Sequence, residues 1–286
     1  MKHIKYLFLV LCTIFVFEMI SFNKAEADEC TVTSGVVAEA DIDNGCDTAP
    51  DIYEVVIYKL YLCTSAPTEP TTSSTVVLTP CSQIFNNASG ATASVTQGSD
   101  IDLDGTYTRP PNGTYTHGYA YMDNTFGITW SGKIDGLKNG HTGGRGVYCA
   151  TVANEGTHKQ GSTHTNSSVC SSTDNLTAGK FVETLEQFGG FTDSFLARAT
   201  ATNINGTTAS IVGLLVDDNE HRAATTGEVE KLEGLVTFAN PVVVTTATTS
   251  LNMSFNVGEG MHFGDHLNND TLDIGGGPFQ AIMEAN

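Results

Sequence analysis

The chain has 286 residues, with 13 Lys and Arg against 32 Asp and Glu, a formal charge of −19. Such a surface repels phosphate backbones and anionic headgroups, so no nucleic-acid partner is expected. With 40% hydrophobic residues there is enough apolar material for one large core or two modest ones.

Residues 1–27 have the order of a secretory signal peptide. Met1 to Lys5 is a basic head, Tyr6 to Phe17 is an uninterrupted apolar run, and Ala25-Glu26-Ala27 is a small-x-small cleavage site. The apolar run ends at Glu18, short of the ~20 residues that a membrane span needs, so no integral span is expected after cleavage. Cleavage would remove three lysines and two glutamates and leave ten basic against thirty acidic residues. The expected location is secreted, periplasmic or cell-surface. Six cysteines then remain: Cys30, Cys46, Cys63, Cys81, Cys149 and Cys170. An even count in an exported chain favours three disulfides. Of the fifteen connectivities open to six cysteines, the spacing favours the local pairs 30–46, 63–81 and 149–170. Each such bond contributes about 3 kcal/mol in the chain-entropy model.

Thr, Val, Ile, Tyr, Gly and Asn dominate the rest and favour strands and turns. Ile52 to Leu62 is apolar on both alternate faces and reads as a central, covered strand. Ser65 to Ser74 is a Pro/Thr-rich loop, and Thr75 to Thr79 a short strand. Asp100 to Thr108 alternates, with Ile101, Leu103 and Tyr107 opposite Asp100, Asp102 and Asp104, as a half-buried strand would. A Pro-Pro-Asn-Gly turn leads to a strand over Thr114–Met122, continued by Phe126 to Trp130. From Asp135 to Gly179 the pattern fades into Gly, Ser, Thr and Asn, which reads as a loop-rich insertion pinned by a 149–170 disulfide. Lys180 to Phe188 has Phe181, Leu185 and Phe188 at helical spacing, with Gly189-Gly190 as a stop. Asn205-Gly206 marks a hairpin between strands over Phe195–Asn203 and Thr208–Val216. Glu228 to Phe238 fits either period. Pro241–Thr246 and Ser250–Val257 read as strands, and Phe279 to Met283 is a short apolar tail. Together these elements predict an all-β fold: an antiparallel two-sheet sandwich with a long disulfide-pinned insertion. The expected division is 28–134 as an N-terminal β part, 135–180 as the insertion, and 181–286 as a C-terminal β part completing the same sandwich.

Three sets of residues are candidate sites. Asp100, Asp102 and Asp104, followed by Gly105, match the first half of a calcium loop, where a hard cation takes carboxylate oxygens at alternating positions. Position twelve is Pro111, not Glu, and the acidic face of a solvated strand explains the same residues. Asp41-x-Asp43-Asn44-Gly45-x-Asp47 is a second acidic turn, and Asp217-Asp218-Asn219-Glu220 reads as a polar hairpin tip. His262 and His266 stand four apart near Asp265, but Gly260 and Gly264 disfavour the helix that would align them. Tyr119, Tyr121 and Trp130, with Tyr115, are a candidate aromatic row for sugar stacking; on alternating strand positions such residues also serve as core. His117 lies on the same face. No catalytic residue is identified: there is no G-x-S-x-G elbow, and thirty carboxylates single out no acid pair. No cofactor is expected beyond the calcium that the acidic residues could hold.

The Gly113-Thr-Tyr-Thr116 strand after a Pro-containing turn, preceded by the valine-rich strand and followed by Leu251-x-Met253-x-Phe255, resembles secreted bacterial β-sandwich domains of unknown function. The resemblance implies an exported sandwich and no catalytic residue. The expected function is a non-enzymatic structural or adhesive component of the cell surface, extracellular matrix or a filament, interacting with itself or a cell-surface partner. A calcium- or carbohydrate-binding secreted module is the alternative, and a secreted hydrolase the third reading.

Overall fold

The computed structural model describes residues 28–96, 102–158, 167–189, 192–202, 208–265 and 268–285. The signal segment, Asp100, Ile101, the Asn205-Gly206 hairpin tip and His266 lie outside them. In chain order, β1 (Asp28–Glu29), β2 (Val32–Thr33) and β3 (Val36–Val37) lead through helix α1 (Glu39–Asn44) to β4 (Cys46–Thr48). There follow β5 (Ile52–Cys63), β6 (Cys81–Val95), β7 (Thr106–Tyr107) and β8 (Gly113–Thr129). Next come β9 (Ser131–Gly140), β10 (Arg145–Thr151), β11 (Glu155–His158), β12 (Ser168–Ser171) and β13 (Phe181–Leu185). The last third holds β14 (Leu196–Thr202), β15 (Thr208–Val216), β16 (Lys231–Val244), β17 (Leu251–Asn256), β18 (Met261–Gly264), β19 (Thr271–Gly276) and β20 (Gln280–Ala285).

Two large sheets result. One runs β1-β4-β18-β19-β9-β10-β12, with β3 also on β9 and β2 on β3. The other runs β14-β15-β16-β8-β5-β6-β7, with β13 also on β8 and β11 on β13. β17 and β20 pair separately. The sheets are mixed, where the sequence suggested purely antiparallel ones. β1–β4, β11–β13, β19–β9 and β3–β9 are parallel, each bringing together short strands from separate segments.

β8 is the spine of the second sheet. Along one edge it pairs with β5 from Cys63↔His117 to Ile52↔Thr129. Along the other, its first part pairs with β16 and its last part with β13. The double apolar phase of β5 has a physical cause. Between Ile57 and Lys59, β5 advances two residues while β8 advances one, from Met122 to Tyr121. This bulge switches the phase, so Leu60 and Leu62 join Tyr53, Val55 and Ile57 in one core. That core also takes Ile134, Met261, Phe263, Leu272 and Ile274 from the first sheet. Trp130 stands where the chain passes from β8 to β9, and its ring meets Phe263 edge-on at 4.7 Å. Phe279 reaches Tyr53, Phe126 and Phe255.

Four expectations are corrected. The helix over Lys180–Phe188 is replaced by β13, in which Phe181 and Glu183 are buried on alternate positions beside the free edge of β8; an open ladder overrides a short helical pattern. The described residues of the insertion 135–180 include the end of β9 and the strands β10, β11 and β12. Its glycines read as loop, but they let backbones approach: a Cβ on Gly144 would lie 1.9 Å from the Cys170 carbonyl oxygen, and one on Gly146 1.8 Å from that of Ser171. Gly144 also has φ +78°. The strand over Asp100–Thr108 shrinks to β7 among the described residues, and Thr75–Thr79 contributes only the single bridge Val77↔Thr68. In the other direction, the acidic turn around Asp41 contains α1, with Glu39 and Asp41 in its first turn, where the helix dipole favours acids.

All three local disulfides are present: Cys30–Cys46, Cys63–Cys81 and Cys149–Cys170. The last two join residues directly opposite each other in register, on β5/β6 and β10/β12. No helix among the described residues is long and apolar enough to cross a membrane. Replacing Cys63 and Cys81 together by Ser is expected to lower the unfolding free energy by about 3 kcal/mol, since the bond closes a separation of 18 residues. Urea unfolding of the variant beside the parent, with the other two bonds intact, measures this.

Candidate functional site

The bulge in β5 that gathers the main core sends Lys59 and Tyr61 to the opposite face of the same sheet. Cross-strand register then sets two rows there. Tyr61, Tyr119, Leu235 and Val212 lie side by side, and so do Lys59, Tyr121, Glu233 and Leu214. Val76 and Leu78, from the loop that Cys63–Cys81 closes, pack over the first row as a second, smaller core. The turn after β15 brings in Glu220, whose Oε1 lies 2.8 Å from Lys59 Nζ. Lys59 Nζ also sits 4.7 Å from the Tyr121 ring centroid, a cation–π contact. Tyr61 meets Tyr119 edge-on at 5.6 Å, and Tyr58 meets Tyr121 at 5.8 Å. Tyr58 donates a hydrogen bond of 3.1 Å to Asp123.

Glu233 is the unusual member. Its exposure is 0%, and neither carboxyl oxygen has a partner in full hydrogen-bond geometry. Burial pushes its acid up to about 8, and Glu220 adds to the rise; the nearby Tyr119 hydroxyl and Lys59 ammonium oppose it without cancelling it. The tyrosines respond in kind. Burial and then Glu233 hold Tyr119 far above the usual phenol range. Burial, then Glu220 and Glu233, push Tyr121 up to about 12. Chemically this is a neutral carboxylic acid at neutral pH, enclosed by phenols and roofed by a Lys–Glu ion pair. It can hold a proton, and the described contacts place no nucleophile beside it.

The residues singled out from sequence are placed as follows. Tyr119 and Trp130 are both buried, in the smaller and larger core respectively, so neither is presented to a sugar. Tyr121 is half-buried in the cluster above. Tyr115 is buried and donates to the Pro111 carbonyl at 2.7 Å. The aromatic row is therefore divided by burial: its members fill cores on a strand whose two faces are both covered. His117 Nδ1 lies 2.8 Å from the Thr116 hydroxyl, and burial lowers its basicity. Asp102 and Asp104 are exposed before β7, and the Asp104 carbonyl accepts from Asn87 at 2.7 Å. The second acidic turn is drawn three ways. Asp41 accepts from the Thr31 amide, which lowers its acid below the ordinary value; Asp43 pairs with Lys138; Asp47 meets His262 Nδ1 at 2.7 Å. Among the described residues, no three His, Cys, Asp or Glu side chains gather as a cation site.

Glu233 and Lys59 are not singled out in the sequence, and Glu220 reads there only as part of a polar hairpin tip. The available signal was a charged residue inside an otherwise apolar strand, Lys59 in Ile57–Leu62 and Glu233 in Leu232–Val236. Comparison with family models, curated proteins and solved structures found no match to this chain.

Glu233 predicts a pH dependence of stability. The folded state holds its proton to about pH 8, whereas the unfolded chain releases it near 4.5. The stabilisation is complete below pH 4.5 and is lost as pH rises to 8, on the order of 5 kcal/mol in all. Glu233→Gln should remove this slope and be more stable than the parent above pH 8. Urea unfolding free energies at several pH values across the window, for both proteins, give the comparison.

Proposed function

We propose that the protein is an exported, non-enzymatic β-protein that serves as a structural or adhesive component of a cell surface, extracellular matrix or filament. The observation that carries this reading is the arrangement of covalent ties. Two disulfides tie paired strands, one in each large sheet, and the third joins Cys30, just after β1, to β4, as suits a protein held rigid in an oxidising exterior. The polar cluster around Glu233 fits the same role, since it is sealed by packing and by the Lys59–Glu220 ion pair. The reading includes face-to-face packing of the two large sheets as a sandwich, which the shared apolar cluster supports. The charge of −19 suits an outside surface that stays soluble.

A second reading is a carbohydrate-binding module. Tyr58, Tyr61 and Tyr121 are half-buried beside Lys59 and Glu220, a mixture of rings and polar groups on which a neutral glycan could stack. The two readings separate in one set of measurements on purified protein. Mass photometry, negative-stain microscopy and cell-binding assays should show self-assembly or attachment to cells. A strict monomer that binds neither itself nor cells contradicts the first reading. Retention on a neutral-glycan array that is abolished by Tyr121→Ala would favour the second.

A further inference from the structure

Lys138, on β9, is the one lysine in the described residues whose side chain is 0% exposed. Three carboxylates from two other segments surround its Nζ. It is in direct contact with Asp43 Oδ1, and it lies 3.8 Å from both Glu39 Oε1 and Asp265 Oδ2. Glu39 and Asp43 are four residues apart on α1 and so share one face of it. Asp265 follows β18 and is itself buried. Backbone N–H groups of Asn269 and Asp270 hold its carboxylate at 3.0 and 2.8 Å. Ile42 on α1, Ile134 on β9 and Phe263 on β18 are fully buried core residues of the same elements. Enclosing an ammonium in such surroundings requires desolvation of its charge, while the Asp43 carboxylate beside it stays half exposed. A neutral amide between the same two side chains carries neither charge.

We propose that Lys138 and Asp43 become joined by a side-chain amide, with Asp265 as the proton relay. Asp265 carries one ammonium proton to an Asp43 oxygen, leaving a free amine facing a carboxylic acid. Nζ attacks Cγ of Asp43 and forms the C–N bond. A second proton from the nitrogen crosses by the same relay to the departing hydroxyl, the C–O bond breaks, and water leaves. An ammonium and a carboxylate enter; one amide and one water result, with no other reagent. The Asp43 side chain is 53% exposed, so the released water has a way out. The bond would anchor α1 to β9, beside the loop already closed by Cys30–Cys46. This inference is independent of the proposed function.

Intact-mass measurement of the purified full chain, disulfides unreduced, tests it without any variant. The expected mass is one water below that of the chain with three disulfides. A tryptic digest should lack cleavage at Lys138 and should contain one branched peptide holding residues 43 and 138. Asp43→Asn should give the same final mass as the parent, because the amide then forms with loss of ammonia. Asp265→Asn should retain the water, and Glu39→Gln should still lose it. An unmodified parent mass with normal cleavage at Lys138 overturns the proposal. Loss of the bond in Glu39→Gln but not in Asp265→Asn overturns the relay assignment.

Discussion

Everything else in the second sheet hangs on the backbone ladder of β8. A strand in a sheet interior must satisfy its N–H and C=O groups on both sides. β8 does so from His117 to Met122 and from Phe126 to Ile128, with β5 on one edge and β16 and β13 on the other. Its side chains are then divided between two cores. Tyr115, Met122, Phe126 and Ile128 enter the larger core, while Tyr119 enters the smaller one. The bulge in β5 matters because a period of two admits no partial correction: without the extra residue, Leu60 and Leu62 would face the wrong side. The same residue count delivers Lys59 and Tyr61 to the outer face and so creates the setting of Glu233.

The chain handles its buried charge in two ways. Where a carboxylate is buried at the first sheet, a cation or an imidazole meets it, as with Asp265 and Lys138, Asp47 and His262, or Asp273 and His141. Glu233 has no such direct partner, because Lys59, the nearest cation, is engaged by Glu220. The remaining way to bury a carboxyl is to keep its proton, which the raised acid reflects. The two environments differ in consequence. The first sheet brings amine and acid atoms together within reach of one another, whereas the Glu233 cluster encloses a proton.

Much of the fold was legible in the sequence, for identifiable reasons. β5, β15 and β17 lie where alternation or apolar density placed strands, and the cysteine spacing pointed to the three bonds that the structure contains. The failures over the insertion and at Lys180–Phe188 have one origin. β9, β10 and β13 owe their state to neighbours rather than to their own pattern. Gly144 and Gly146 are selected by the approach of β12, and Phe181 by the open edge of β8. The candidate sites were harder to read, because register decides them. Nothing local to Glu233 announces that Tyr121 stands opposite it, with Lys59 one strand further. Trp130 and Tyr119 carry the same aromatic signal whether a strand face is bare or covered, and here both faces are covered.

Native-state hydrogen exchange addresses the role of β8 most directly, because it ranks the opening free energies of individual strands. If the β8 ladder is the frame, the amides of Tyr119 to Ile128 and their β5 partners exchange last, together with global unfolding. Slowest exchange in β9, β10 and β12 instead, with β8 opening earlier, would contradict it.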